Sequence, residues 1–221
     1  MQRLAKPYNL HGLSGFDSHT FLHGSVVQWS EHRPVTPEVA GSSPVRVARG
    51  SMYLELGKAS NLAMYCTQVA YVSKSWTEMI GWEATQVPLA QVLNEPVLKE
   101  IHNEFPIARA AILRMEPYQA YHWHVDAQRG VSINMLLSAH GTSHCLFGSP
   151  KNDDNMYFTE LKYEPNTLYL FDTQVLHTVI NFEAPRLLFS VEFADSVDNL
   201  VYNDIYEWKR GRVVEGSSLE N

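Results

Sequence analysis

PIARAAILRMEPYQAYHWHVD, residues 106–126, is where the hydrophobic period of the chain changes. Before it, from Asn61 to Phe105, the spacing is mostly helical. Val97, Ile101 and Phe105 recur every four residues, an apolar stripe close to the 3.6 period of an α-helix. Asn94-Glu95-Pro96 predicts the start of that helix, with Asn94 as cap and the proline tolerated in the first turn. Trp76, Met79, Ile80 and Trp82 predict a weaker helical stretch upstream. From Pro106 the period is two: Ala108, Ala110 and Ile112, then Ala120, His122, His124 and Asp126, alternate with outward positions. Further short strands are predicted at 131–137, 144–148, 155–163, 167–171, 175–182 and 187–193. Turn signals separate them at Gly148-Ser149-Pro150, Asn152-Asp153-Asp154, Glu164-Pro165-Asn166 and Ala184-Pro185. About eight short strands with regular turns indicate a barrel or a sandwich. Helices followed by strands make the class α+β, mainly β, with an antiparallel core. The expected organisation is helical over 61–105, a β core over 106–195 and a polar tail over 196–221, with Tyr206 and Trp208 packing back.

The first 51 residues are expected to stand apart from this domain. Residues 24–49 resemble a tRNA gene translated in frame. Ala40–Pro44 back-translates to a T-arm, His32–Glu38 to an anticodon stem-loop and Val26–Ser30 to a D-arm, in that order. Met52 is then the expected start of a single domain over 52–221, and a compact phage or other viral genome, or a metagenomic source, is the expected origin. The leader has no apolar stretch after a basic start, so no signal peptide is read there, and a cytoplasmic location is expected (the host cytoplasm if viral). His11, His19, His23 and His32 carry no claim as ligands.

Composition narrows the function classes. Five of the 17 basic and three of the 24 acidic residues fall in residues 1–51, leaving 12 basic against 21 acidic residues in the domain. So acidic a surface, without basic runs, is not expected to grip a nucleic-acid backbone nonspecifically. Cys66 and Cys145 are the only cysteines, too few for a disulfide scaffold. No apolar run is long enough to span a membrane. Nothing in the sequence sets the oligomeric state.

The chemistry is concentrated in four residues. His124 and Asp126 are two apart on a predicted strand, so their side chains share a face. His177 follows on a late strand and Arg186 opens the next. Two imidazoles and one carboxylate leave metal positions open, the arrangement of non-haem Fe(II) sites. A guanidinium can hold a carboxylate through two parallel bonds. His122 should share the face of His124 and could line a substrate pocket or a rim. Arg129 could bind a substrate carboxylate or pair near Asp126. His140 and His144 are read as surface residues, Asp172 as a turn or supporting group, and Trp76 and Trp82 as core.

These residues carry a resemblance. Ala108–Asp195 resembles the catalytic core of the 2-oxoglutarate- and Fe(II)-dependent dioxygenases, a double-stranded β-helix (jelly-roll or cupin-like). Glu164–Thr173 through His177-Thr178-Val179 is similar to the family's turn, strand and distal-His block, and Arg186–Ser190 to its co-substrate strand. His124-Val125-Asp126, Arg129, Asn134 and Leu136 are similar to the aspartyl/asparaginyl and proline hydroxylase branch. The resemblance implies Fe(II) on His124, Asp126 and His177, and 2-oxoglutarate on Arg186 with Asn134 as a further contact. It implies O2 as the other co-substrate and no catalytic side chain beyond the metal ligands. It further implies hydroxylation of an unactivated C–H bond in a small amino acid or peptidyl side chain, with release of succinate and CO2. Where many members have Ser two residues after the arginine, this chain has Leu188, and Ser190 could take its place. Asn166 stands where Gly is frequent, a mild change because Asn tolerates a left-handed backbone. Two other classes are weighed. A cupin-like metal enzyme without 2-oxoglutarate would use His122, His124 and His177, but its first motif needs a Glu soon after H-x-H, and none lies between His124 and Asn152. A non-catalytic phage barrel or binding protein would have no use for the four residues together.

Overall fold

The computed structural model describes residues 51–79, 81–138, 142–152 and 155–217. The expected leader at 1–51 and His140 therefore lie outside the described residues, apart from Ser51. The chain order is β1 (Tyr53–Lys58), α1 (Ser60–Val72), β2 (Thr77–Met79), β3 (Trp82–Val87), α2 (Leu89–Val92) and α3 (Pro96–Glu104). There follow β4 (Ile107–Met115), β5 (Ala120–His124), β6 (Val131–Leu136), β7 (Ser143–Asn152), β8 (Asn155–Glu160), β9 (Thr167–Asp172), β10 (His177–Asn181), β11 (Arg186–Phe193) and α4 (Tyr202–Ser217).

Two antiparallel sheets face one another. The larger has the order β1-β9-β6-β11-β4-β3-β2, the smaller β5-β10-β7-β8. From β4 to β11 consecutive strands therefore alternate between sheets, except for the β7–β8 hairpin within the smaller one, which winds the chain as a double-stranded β-helix. No strand pairing closes the two sheets into a barrel among the described residues, so the sandwich alternative describes the core better than the barrel.

Period two sorts the larger sheet. On β6 every residue is buried, but Val131, Ile133 and Met135 join the cluster beneath the helices, whereas Ser132, Asn134 and Leu136 face the smaller sheet or its cavity. The helical side is sealed by Leu62 and Cys66 of α1, Leu98 and Ile101 of α3, and Tyr202 and Ile205 of α4. Each such side chain contributes about 1.5–3 kcal/mol of burial. Between the sheets, Met115, Cys145, Phe147, Phe171 and Val179 form a smaller cluster next to the cavity.

Four expectations change. Trp76–Trp82 is not helical: β2 and β3 form a hairpin at the sheet edge, turned at Gly81 with φ +76° and docked on β4. A three-four spacing of aromatics over so few residues does not separate helix from strand, and the left-handed turn residue decides. Asn94 does not cap α3; Glu95 is the N-cap without a side-chain hydrogen bond, and Pro96 supplies the first-turn geometry. Ala108 is exposed, because it is the extra residue of a bulge: Arg109 pairs with Glu192 and Ile107 with Phe193, leaving Ala108 unpaired. The tail is largely the helix α4, whose Trp208 meets Phe105 edge-on at 5.6 Å. Tyr206 and Trp208 do pack against the helical core. Asn166 takes the left-handed conformation that its side chain tolerates, φ 57°. Both cysteines are buried and free. No described helix is long and apolar enough to cross a membrane.

Candidate metal centre and co-substrate pocket

β5 and β10 are neighbours in the smaller sheet, and their register sets His177 opposite His124. Asp126 lies two residues past the end of β5. Its backbone N–H donates to the Thr173 carbonyl at 3.0 Å, and its own carbonyl accepts from Gln174 Nε2 at 2.7 Å. The β9–β10 turn thus pins the aspartate beneath the two histidines. Potential ligand atoms of His124, Asp126 and His177 all lie within 4.8 Å of one another. Asp126 Oδ1 is 3.5 Å from His124 Nε2 and 4.0 Å from His177 Nε2.

Each imidazole is oriented by its own strand. Nδ1 of His124 donates to the His122 carbonyl at 2.7 Å, and Nδ1 of His177 donates to the Val175 carbonyl at 2.8 Å. With Nδ1 protonated, Nε2 keeps its lone pair for the space the three residues share. Burial lowers the His124 pKa and lowers that of His177 to about 4, the second helped by the neighbouring His124. Both rings are therefore neutral near pH 7, as ligands must be.

The carboxylate is oriented too. Arg129 Nε and Nη2 both contact Asp126 Oδ2, at 2.8 and 2.5 Å. Oδ1 is left facing the imidazoles. The donor set, one fixed oxygen and two nitrogens with free lone pairs, suits Fe(II) or a similar divalent ion.

Arg186 lies in the same cavity. It is 1% exposed, among the largest fully buried side chains of the described residues. Its Nε and Nη1 have no hydrogen-bond partner, and its guanidinium carbon sits 5.9 Å from the centre of the Tyr163 ring. A buried cation with unsatisfied donors is strongly destabilising unless an anion meets it. Arg186, Leu188 and Ser190 alternate on β11 and all line the cavity, so Ser190 does face the way Arg186 does. Asn134 and Ser132 lie on the adjacent β6. Asn134 donates to Ser132 Oγ at 3.1 Å, and its own Oδ1 has no partner. The pocket thus offers a cation, hydroxyls and an amide within a largely apolar wall that includes Leu113, Phe171 and Val179. Such a donor set can hold a small carboxylate.

His122 is not brought into this cavity. It is exposed, and the reason is a bulge: between the pairs His124–His177 and Tyr121–Val179, β5 carries one residue more than β10. The bulge turns Tyr121 inward together with His124, though they are three apart. A three-imidazole site using His122 therefore lacks one of its members. Arg129 lines the cavity, but it is committed to Asp126. His144 pairs at the surface with Glu160, 2.5 Å apart. Asp172 serves the turn, accepting from the Gln174 N–H at 3.0 Å. Sequence reasoning missed Tyr163, Thr173 and Cys145, which line the cavity, and Gln174, which holds the Asp126 and Arg129 carbonyls, and read Trp82 as core although it lines the cavity. None has a spacing signal; they reach the site from β7, from the β8–β9 and β9–β10 connections and from the head of β3.

The neutral burial of His177 has a consequence for stability. Its pKa falls from 6.5 to about 4 on folding, so the unfolded chain binds the proton more readily than the folded one. In the metal-free protein this contribution is intact above pH 6.5 and lost as pH falls towards 4. The loss is on the order of 3 kcal/mol across that window. Chemical denaturation of wild type and His177→Asn at several pH values checks it: the advantage of wild type should shrink by that amount between pH 7 and 4, and a pH-independent difference refutes the assignment.

No family model matches the sequence, and no curated protein matches it. Solved structures do. A prolyl-4-hydroxylase from Pseudomonas putida matches with a TM-score of 0.50 and 15% identity, over 65% of this chain and 91% of that one. The fold is that of the 2OG-Fe(II) oxygenases. Among other chains with this oxygenase fold, a viral collagen prolyl hydroxylase from Paramecium Bursaria Chlorella virus-1, solved as its 2OG complex, matches with TM-score 0.48 and 14% identity over 66% and 96% of the two chains. An oxidoreductase of the 2OG-Fe(II) oxygenase family from Burkholderia pseudomallei matches with TM-score 0.46 and 14% identity over 61% and 77%.

Proposed function

We propose that the protein is an Fe(II)- and 2-oxoglutarate-dependent oxygenase that hydroxylates an unactivated C–H bond, as one domain beginning near Met52 and acting in the cytoplasm. One observation carries the reading: the buried Arg186, with two donor nitrogens left without partners, shares a cavity with two neutral imidazoles and a carboxylate whose ligand atoms converge. A metal site alone would not require that guanidinium, and a structural barrel would not tolerate it.

His124, Asp126 and His177 hold the metal. Arg186 takes the distal carboxylate of 2-oxoglutarate, with Ser190 and Asn134 beside its chain. When bound, Fe(II) with the keto acid and O2 supplies the oxidation that converts C–H to C–OH, with 2-oxoglutarate leaving as succinate and CO2. The chain's own part is placement. Arg129 fixes which oxygen of Asp126 faces the metal, the two backbone carbonyls fix which nitrogen of each histidine does, and the apolar wall keeps bulk water from the reacting centre.

The test is turnover without added substrate. Protein reconstituted with Fe(II) should convert 2-oxoglutarate to succinate slowly, stop on chelation, and fall to background in His177→Ala. Failure of the Fe(II)-loaded wild type either to bind or to consume 2-oxoglutarate rejects the reading.

A further inference from the structure

Two aromatic side chains of the cavity have no part in holding the metal or the keto acid. Tyr121 meets the His124 ring edge-on at 4.5 Å, and Trp82 meets Tyr121 at 5.4 Å and 64°. Both line the cavity. Both are also half-buried, so the row His124–Tyr121–Trp82 runs from a metal ligand to the protein surface. The bulge on β5 and the left-handed turn at Gly81 put the two rings there, one from each sheet.

The row is distinguished by its chemistry. A phenol or an indole gives up one electron together with a proton far more readily than a phenyl ring does. The other imidazole, His177, is packed by Phe171 at 5.0 Å and Phe147 at 6.2 Å, which offer no such step. Among the described lining residues the remaining oxidisable groups are Cys145 and Tyr163. They lie on the Arg186 side, where the guanidinium carbon is 5.9 Å from the Tyr163 ring and Tyr163 packs on Tyr169.

The proposed reaction leaves such a pair a task. Conversion of 2-oxoglutarate to succinate and CO2 releases two electrons, and full reduction of O2 takes four. A substrate C–H bond supplies the other two. When no substrate is bound they must come from elsewhere, or the surplus oxygen atom is spent on the protein.

We propose that Tyr121 and Trp82 form an electron relay that delivers these two electrons from a reductant at the surface. Tyr121 gives an electron and its phenol proton to the metal centre. It regains both from Trp82, and Trp82 regains an electron from the reductant and a proton from water. Two passes add two electrons and two protons, so that 2-oxoglutarate and O2 give succinate, CO2 and one water. The reductant is a small one-electron donor that reaches Trp82. The inference rests on the oxygenase reading above and adds a function to it: the centre discharges without damage when its substrate is missing.

Ferrocenemethanol is the probe, a neutral donor of single electrons whose oxidised form is coloured. On the full chain with Fe(II), 2-oxoglutarate and no substrate, about two ferrocenium ions should form per succinate. In Trp82→Phe and Tyr121→Phe, which keep a ring and remove the redox step, that yield should fall at least five-fold, and Trp82→Tyr should recover most of it. With the reductant withheld, peptide mapping should find an added oxygen atom on Tyr121 or Trp82. An unchanged ferrocenium yield in both phenylalanine variants, or oxygen placed on Cys145 or Tyr163 instead, overturns the relay. The Zn(II) form, inert to O2, separates this inference from the parent reading. Oxidation of its indoles by azide radicals in pulse radiolysis should be followed by indolyl-to-phenoxyl transfer that shrinks in Trp82→Phe and in Tyr121→Phe. If that transfer is absent while wild type consumes 2-oxoglutarate, only the relay falls; if it is present while 2-oxoglutarate is not consumed, only the parent reading falls.

Discussion

Arg186→Met is expected to abolish 2-oxoglutarate binding while leaving the metal-free fold as stable as wild type or more so. The two effects have one cause. Arg186 is buried with two unsatisfied donors and no carboxylate paired with it among the described residues, so the ligand-free protein bears the cost of desolvating that cation. Methionine keeps much of the length and removes the charge, a change that in buried ionic sites is often neutral or stabilising. The ligand loses its anchor. Removing one partner of a desolvated charge pair costs about 2–5 kcal/mol, or roughly 30- to 5,000-fold in affinity. Thermal denaturation with Zn(II) and increasing 2-oxoglutarate checks both: wild type should gain stability with ligand, and the variant should begin level or higher and gain nothing. Arg186→Lys should fall between them, since an ammonium cannot form the two-pronged contact. A methionine variant that 2-oxoglutarate stabilises as it does wild type would exclude Arg186 as the clamp.

The convergence of the site was legible for a specific reason. His124, Asp126, His177 and Arg186 owe their proximity to strand periodicity and strand order, and both leave marks in a sequence. A period of two places alternate residues of β11 on one face, which is why the orientation of Ser190 could be anticipated from that of Arg186. What the sequence hid depends on breaks in that period. The bulge on β5 exposes His122 and turns Tyr121 inward, and no residue there announces it. Bulges arise from how two strands pair, so they are a property of the partner as much as of the strand. Arg129 was visible, but its choice between a substrate carboxylate and Asp126 was not. That choice depends on the chain bending back after β5, where Thr173 and Gln174 from a distant turn hold the backbone of 126–129.

The fold shows the same division. The strands from β4 to β11 were placed closely because hydrophobic alternation and turn residues agree along that stretch. Upstream, β1 to β3 were not read as strands. β1 and β2 are the edge strands of the larger sheet, β3 lies one strand in, and β2 is three residues long. An edge strand packs against one neighbour only, so selection on its pattern is weaker and the local signal fades. Trp82 looked like core because aromatic residues usually are; only its place at the head of β3, against Tyr121 of β5, turns it towards the cavity.

Gly130 is the position where the C-terminal segment depends on the site, and Gly130→Ala is expected to damage both. A Cβ at residue 130 would sit 2.2 Å from the Leu200 carbonyl oxygen and 3.0 Å from Val201 Cα. Both obstacles are backbone, so no side chain can swing aside. Gly130 and Val201 also form a parallel bridge, the contact that leads the chain into α4. Relief requires the segment at 200–201 to withdraw, which drags Tyr202 and Ile205 from the helical core, or the 129–131 backbone to shift, which moves Arg129 off Asp126. Overpacking of this kind costs about 1–3 kcal/mol, and loss of core contacts adds to it. The melting temperature should fall by roughly 5–10 °C for a domain of this size. Metal affinity should drop as well, by about 10–100-fold, if the strain is relieved through Arg129. Gly211→Ala is the matched control, because a Cβ there has nothing within 4 Å and the residue lies inside α4. It should stabilise by up to ~1 kcal/mol through helix propensity alone. Opposite shifts in calorimetry for two identical chemical changes would locate the effect in the 130–200 contact; a Gly130→Ala protein that melts with wild type would show that the close approach does not exist in solution.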